Sequence, residues 1–138
     1  MEIGTFLKVK DRPVITVGPQ DSITAAIQKL VDNRVGALPV IDDKEMLLGI
    51  ISERDMLKVF LRHGETGITR VQDVMTRDVV VGAPEDDLDY AACVMRQEKV
   101  RHLPIVVGQK LYGIVSMRDV VGIQLSEAQA EIRHLKSW

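Results

Sequence analysis

At 138 residues, 46% hydrophobic and 28% charged, the chain has the make-up of one compact soluble domain, or of two small halves sharing a core. A formal net charge of −2 and only 4% aromatic residues argue against a nucleic-acid or anionic-membrane surface. Cys93 alone makes no intrachain disulfide, no apolar run nears the roughly 18–20 residues of a membrane span, and Met1-Glu2-Ile3-Gly4 lacks a basic-then-apolar leader, so a cytoplasmic protein is expected.

The periodicities predict a short strand over Val14-Ile15-Thr16-Val17, stopped by Gly18-Pro19. Asp21 then reads as an N-cap, and Ile23, Ala26, Ile27, Leu30 and Val31 recur at helical spacing over Ser22–Asn33. Gly36 is expected to end that helix. Ala37–Ile41 reads as a buried strand whose Pro39 suggests an edge or a strand start. The acidic turn Asp42-Asp43-Lys44-Glu45 leads into a strand over Met46–Ile51, and Ser52 opens a helix reaching Arg62. A linker over 64–71, with Gly64 and Gly67, precedes a short helical turn over Val71–Thr76. The order then recurs: a strand over Val79-Val80-Val81, a break at Pro84, a cap at Asp86, and a helix lined by Leu88, Ala91, Ala92 and Met95. A strand pair, His102–Val107 and Leu111–Val115, is followed by a helix opened by Ser116. The tail over 126–138, with Ala128, Ile132 and Leu135 among charges, is expected to prolong that helix towards Trp138, which reads as a packing residue or a mere chain end.

The sequence therefore makes one statement twice. Gly49-Ile50-Ile51-Ser52-Glu53-Arg54-Asp55 returns 64 residues on as Gly113-Ile114-Val115-Ser116-Met117-Arg118-Asp119, and Leu38-Pro39-Val40 returns 65 residues on as Leu103-Pro104-Ile105. The one-residue slip falls in the hairpin turns. The expected architecture is α/β (α+β), with two β-α-β-β-α repeats over 5–63 and 72–125 packed face to face.

Ser52-x-x-Asp55 and Ser116-x-x-Asp119 admit two readings. One is a helix N-cap with an acidic residue at the third position. The other is a phosphate site at a helix N-terminus, where N–H groups and the positive dipole end favour an anion and a carboxylate one turn in takes both hydroxyls of a ribose. Capping does not ask for Arg54 and Arg118, nor for Gly49 and Gly113, so their recurrence favours the nucleotide. His63, His102 and His134 lack metal-ligand spacing, Cys93 has no evident base partner, and neither Gly-x-x-x-x-Gly-Lys-Ser/Thr nor Gly-x-Gly-x-x-Gly occurs. No nucleophile–base or carboxylate pair suggests an enzyme; a small hydrolase or a redox enzyme working through Cys93 is the weakest of the options.

The doubled Gly-aliphatic-aliphatic-Ser-x-Arg-Asp motif, each copy preceded by an aliphatic-Pro strand, resembles a tandem pair of cystathionine-β-synthase (CBS) domains, a Bateman module. Asp73-Val74-Met75-Thr76 is similar to that family's lead-in, and the resemblance spans Thr5 to Gln124. It implies a pseudo-twofold module with two clefts for adenine nucleotides, AMP first, then ADP, ATP, NAD(H) or S-adenosylmethionine, and pairing into disc-like homodimers. Asp55 and Asp119 would then bind ribose, and Ser52, Arg54, Ser116 and Arg118 phosphate. Thr16, Val17, Leu38 and Pro39, with Val81, Leu103, Pro104 and Ile114, would enclose the adenine. The halves differ at Gly36-Ala37 against Arg101-His102, which reads either as an exposed junction or as added positive charge at the mouth of one cleft, making the clefts unequal. The function so implied is regulatory: a stand-alone module senses adenylate or redox state and passes it to an unnamed protein partner through inter-repeat and dimer geometry. The alternative is a dimerisation or docking scaffold whose clefts stay empty.

Overall fold

A computed structural model describes residues 1–63 and 69–136 of the chain. Residues 64–68 of the expected linker and Trp138 lie outside the described residues. In chain order the elements are α1 (Ile3–Lys10), α2 (Ile23–Asn33), β1 (Ala37–Ile41), β2 (Leu47–Ser52), α3 (Glu53–His63), a 3₁₀ turn (Val71–Asp73), α4 (Leu88–Glu98), β3 (His102–Val107), β4 (Lys110–Ser116) and α5 (Met117–Lys136). The mixed α/β architecture with two small antiparallel hairpins is the one the repeat implies.

Local chemistry sets the ends of these elements. Ser22, not Asp21, caps α2, its hydroxyl accepting from Ala25 N–H at 3.1 Å. Asp21 is drawn back one turn, accepting from Gly18 N–H at 2.8 Å. The second half repeats the displacement: Asp86 accepts from Ala83 N–H at 2.8 Å and Asp87 is the cap of α4. Each Asp closes the turn before its helix, which leaves the cap to the next residue. Gly36 does not end α2. Arg34 does, in the left-handed region at φ 54°, as Lys99 does for α4 at φ 57°.

The strands expected over Val14–Val17 and Val79–Val81 shrink to one parallel bridge each, Val17 to Val40 and Gly82 to Ile105. Val17 N–H donates to Pro39 O at 3.1 Å and Gly82 N–H to Pro104 O at 3.0 Å. Gly18-Pro19 turns the chain away at once, so no longer ladder forms. Pro39 is consequently covered rather than at a free edge or a strand start, and it stands in mid-strand opposite Ile50. It is not asked for a donor, because Ile50 gives its N–H and C=O to Thr76, at 3.0 and 2.9 Å.

Two cores result, and the lead-in of each half packs into the other. Leu38 and Ile51 face one another across the first hairpin, and Leu103 and Val115 across the second; all four are fully buried, each contributing about 1.5–3 kcal/mol. Val71 and Met75, which precede the second repeat, join the first core with Val17, Ile23 and Val59. Ile3 and Phe6, which precede the first, join the second core with Leu88, Met95 and Val120. Backbone bonds match this exchange: Val71 N–H reaches Asp21 O at 2.9 Å, and Ile3 N–H reaches Asp86 O at 2.8 Å. Between the hairpin tips, Leu47 N–H donates to Gln109 O and Leu111 N–H to Glu45 O, completing a pseudo-twofold arrangement.

Candidate functional site

Each β-hairpin delivers a serine to the start of a helix. Ser52 N–H donates to Asp55 Oδ2 at 2.8 Å, and the Ser52 hydroxyl donates to the same oxygen at 3.1 Å. In the second copy Ser116 N–H donates to Asp119 Oδ2 at 2.9 Å, while Asp119 N–H donates to Ser116 Oγ at 3.1 Å. The second corner is thus a reciprocal capping box; in the first the hydroxyl is turned to the carboxylate, and Asp55 N–H lacks the serine cap. Glu53 N–H is taken by Gly36 O at 3.0 Å and Met117 N–H by Arg101 O at 2.8 Å.

The motif glycines have a packing reason of their own. A Cβ on Gly49 would stand 2.6 Å from Thr76 O and 2.9 Å from Met75 Sδ, and one on Gly113 would stand 2.7 Å from Leu7 Cδ1. The exchanged lead-ins press on these two positions, so the recurrence of glycine does not by itself speak for a ligand.

A cleft of about 480 Å³ opens beside the first corner, within the usual size of small-molecule sites. Ser52, Arg54, Asp55 and Lys58 of the first repeat line it together with Asp78, Val79 and Val80 of the second lead-in and Lys99, Val100, Arg101 and His102. Residues of both halves therefore meet around Asp55, whose carboxylate forms no salt bridge among the described residues. Beside the second corner the space is only about 180 Å³, bounded by Leu7, Lys10, Val14, Ile15, Val35 and Ile114. Asp119 there is half-buried and paired with Lys10, Nζ to Oδ2 at 3.0 Å.

Five expected site residues, Ser52, Arg54, Asp55, Arg101 and His102, thus share one cleft. Ser116, Arg118 and Asp119 line neither cavity, and Ile114 lines the small one. Of the other residues expected around an adenine, Leu38 and Leu103 lie wholly in the cores, Val17, Pro39 and Pro104 are buried, Thr16 is half-buried and Val81 is exposed, none of them on a cavity wall. The apolar lining comes instead from Val79 and Val80, which lie two and one positions before Val81, together with Ile50 and Val100.

A CBS domain profile matches residues 8–62 and 71–126. The chain belongs to the CBS-domain family. It is 35% identical over 117 residues to the CBS domain-containing protein YhcV of Bacillus subtilis, covering 85% of this chain and 83% of that protein. Other relatives are far longer: the chain spans 22% of an inosine-5′-monophosphate dehydrogenase of Methanocaldococcus jannaschii, with 36% identity over 114 residues. The crystal structure of CBSX2 in complex with AMP superposes with a TM-score of 0.76 and 29% identity, covering 92% of this chain and 98% of that one. The CBS domain pair of protein MJ0100, in complex with 5′-methylthioadenosine and S-adenosyl-L-methionine, gives a TM-score of 0.78 and 26% identity, covering 89% and 98%.

His102 sits where the two CBS repeats meet. A Cβ on Gly36 would lie 3.2 Å from His102 Cε1 and 3.7 Å from Glu53 Oε1, so the glycine of one copy makes room for the histidine of the other. Burial pushes the imidazole pKa below its usual value, against the pull of Asp119 and Glu53, while Arg101 and Lys10 push it down further. Lys10 and the walls at Val79-Val80 were missed by motif reading. The available signal was spacing. Leu7 and Met75 occupy equivalent places against Gly113 and Gly49, yet Leu7 lies ten residues before its bridging residue Val17, and Met75 only seven before Gly82. The extra three residues give α1 its last turn, ending at Lys10. Among the described residues no helix is long and apolar enough to cross a membrane, and no cluster of His, Cys, Asp or Glu is placed to hold a metal.

Proposed function

We propose that the chain is a non-catalytic regulatory module that binds an adenine nucleotide, AMP first among the candidates, in the Asp55 cleft. One observation carries this reading: a carboxylate that forms no salt bridge among the described residues lines a cleft of about 480 Å³ together with the basic Arg54, Lys58 and Arg101 and the apolar Val79 and Val80. Asp55 takes the ribose hydroxyls, Arg54 and Arg101 the phosphate as paired donors, and the valines the base. CBSX2 with AMP and the MJ0100 pair with S-adenosylmethionine support the adenosine part; the cations favour a phosphate over a sulfonium. Because the wall of one repeat faces the lead-in of the other, a bound nucleotide favours one arrangement of the halves. A protein partner or a second copy that distinguishes those arrangements receives the signal by linkage. ATP, ADP and NAD(H) extend the same site, and a cytoplasmic setting is part of the proposal.

A homodimer belongs to this reading. Leu57, Phe60 and Leu61 on α3 are 61–88% exposed, and Val121 and Leu125 on α5 are 52% and 57% exposed, an apolar area suited to a second copy. The same area also serves a docking scaffold with empty clefts, for which the capping bonds of Ser52 and Asp55 need no ligand. Thermal unfolding in millimolar AMP, ATP, NADH or S-adenosylmethionine separates the two, since a ligand of the folded state raises Tm with ln(1 + [L]/Kd). An unmoved Tm with all four would leave the scaffold.

A further inference from the structure

At the second corner a lysine of the chain itself stands against the aspartate. Relative to the second lead-in, the three extra residues of the first extend α1 by its final turn. That turn carries Lys10 to Asp119, the counterpart of Asp55, with Nζ 3.0 Å from Oδ2 and 5.9 Å from the Phe6 ring centroid. Both partners are largely shielded, at 24% and 19% side-chain exposure, and a cation suits the C-terminal end of a helix. Asp119 Oδ2 accepts from Ser116 N–H as well, and Leu7 lies against Gly113 beside it. The neighbouring cavity, lined by Lys10, Arg12 and Ile114 but not by Asp119, is about 180 Å³, below the roughly 300–1,000 Å³ of small-molecule sites. Among the described residues no equivalent cation pairs with Asp55, because the second lead-in forms only a three-residue 3₁₀ turn.

We propose that Lys10 is a built-in occupant of the Asp119 cleft, holding the ribose-binding position shut so that each chain takes up one nucleotide, at Asp55, instead of two. The proposal rests on the reading of the Asp55 cleft given above. Lys10 thereby sets both stoichiometry and cleft choice, and any event that lifts the last turn of α1 exposes a second, lower-volume site.

Isothermal titration with AMP, repeated with ATP, reads this directly on the full chain. The wild type is expected to take up one molecule per chain and Lys10→Ala two, a doubling; the double variant Lys10→Ala/Asp119→Asn returns to one. Lys10→Gln, which keeps most of the stem, serves if the alanine variant unfolds, and it too should bind two. Two molecules per wild-type chain, or one per chain in both folded Lys10 variants, overturns the occlusion. Uptake by Lys10→Ala alone, with none by the wild type, overturns the Asp55 reading and upholds the occlusion. No uptake by any of these proteins overturns both.

Discussion

Replacing Asp55 by asparagine would separate the bonds that its carboxylate makes to Ser52 from the ribose contact proposed for it. In the protein its Oδ2 accepts from Ser52 N–H at 2.8 Å and from the Ser52 hydroxyl at 3.1 Å, which fixes the start of α3. Asparagine keeps an acceptor for the backbone N–H, so the fold should lose no more than a few tenths of a kcal/mol, whereas alanine removes the cap and costs about 1 kcal/mol. The ribose suffers differently. A hydrogen bond to a carboxylate contributes roughly 1.5–3 kcal/mol, so losing the charge should raise Kd for AMP by about ten- to a hundredfold. Titration calorimetry reads the affinity, and urea unfolding without ligand reads the fold. The expected pattern is near-normal stability with weakened binding for Asp55→Asn, and loss of both for Asp55→Ala. Should Asp55→Asn bind AMP as the wild type does, the carboxylate is only a cap and the ribose assignment is refuted.

Three further outcomes follow from the geometry. Gly49→Ala should cost about 2–3 kcal/mol, because the new Cβ meets backbone Thr76 O at 2.6 Å, whereas Gly113→Ala meets the movable end of Leu7 and should cost about 1 kcal/mol; equal urea midpoints would contradict this. The pKa of His102 is lowered by burial, so the unfolded chain binds the proton more readily and stability should be fully present above about pH 6.5. It should decline as pH falls below that value, and His102→Gln should flatten the decline in Tm between pH 7.5 and 5.5; an unchanged slope would dismiss the effect. Phe60→Glu on the exposed face of α3 should convert a dimer to a monomer in light scattering, and a wild type that is itself monomeric would remove the proposed homodimer.

Repetition made most of the fold legible. A motif that recurs after 64 residues, and a Leu-Pro strand that recurs after 65, imply two like units before any coordinate is known, and the observed hairpins keep one register, Leu38 to Ile51 and Leu103 to Val115. What escaped was long-range. Periodicity finds which residues are buried, not against which half, so nothing near Val71 or Ile3 announced that each lead-in crosses to the other core. The strands at Val14 and Val79 were over-read for the same reason, since a β-propensity is realised only where a neighbour offers a ladder, and here each segment finds one bridging residue.

The site shows how a repeat both reveals and misleads. Both serine–aspartate corners fold as the spacing requires, and that spacing alone serves a helix cap as well as a ribose. Their difference comes from residues outside the motif. One corner faces the short lead-in and keeps a roomy cleft where Asp55 forms no salt bridge among the described residues; the other faces a lead-in three residues longer, which sets Lys10 against Asp119. The sequence contrast between Gly36-Ala37 and Arg101-His102 acts in the same direction, for the histidine sits in the space the glycine leaves and Arg101 lines the open cleft but not the smaller cavity. Two equal motifs thus become two unequal corners through the length of one lead-in and the size of one side chain. Under the proposed function, asymmetry of this kind would give a single ligand a definite place to act on the arrangement of the halves, since binding that was equal in every arrangement would transmit nothing.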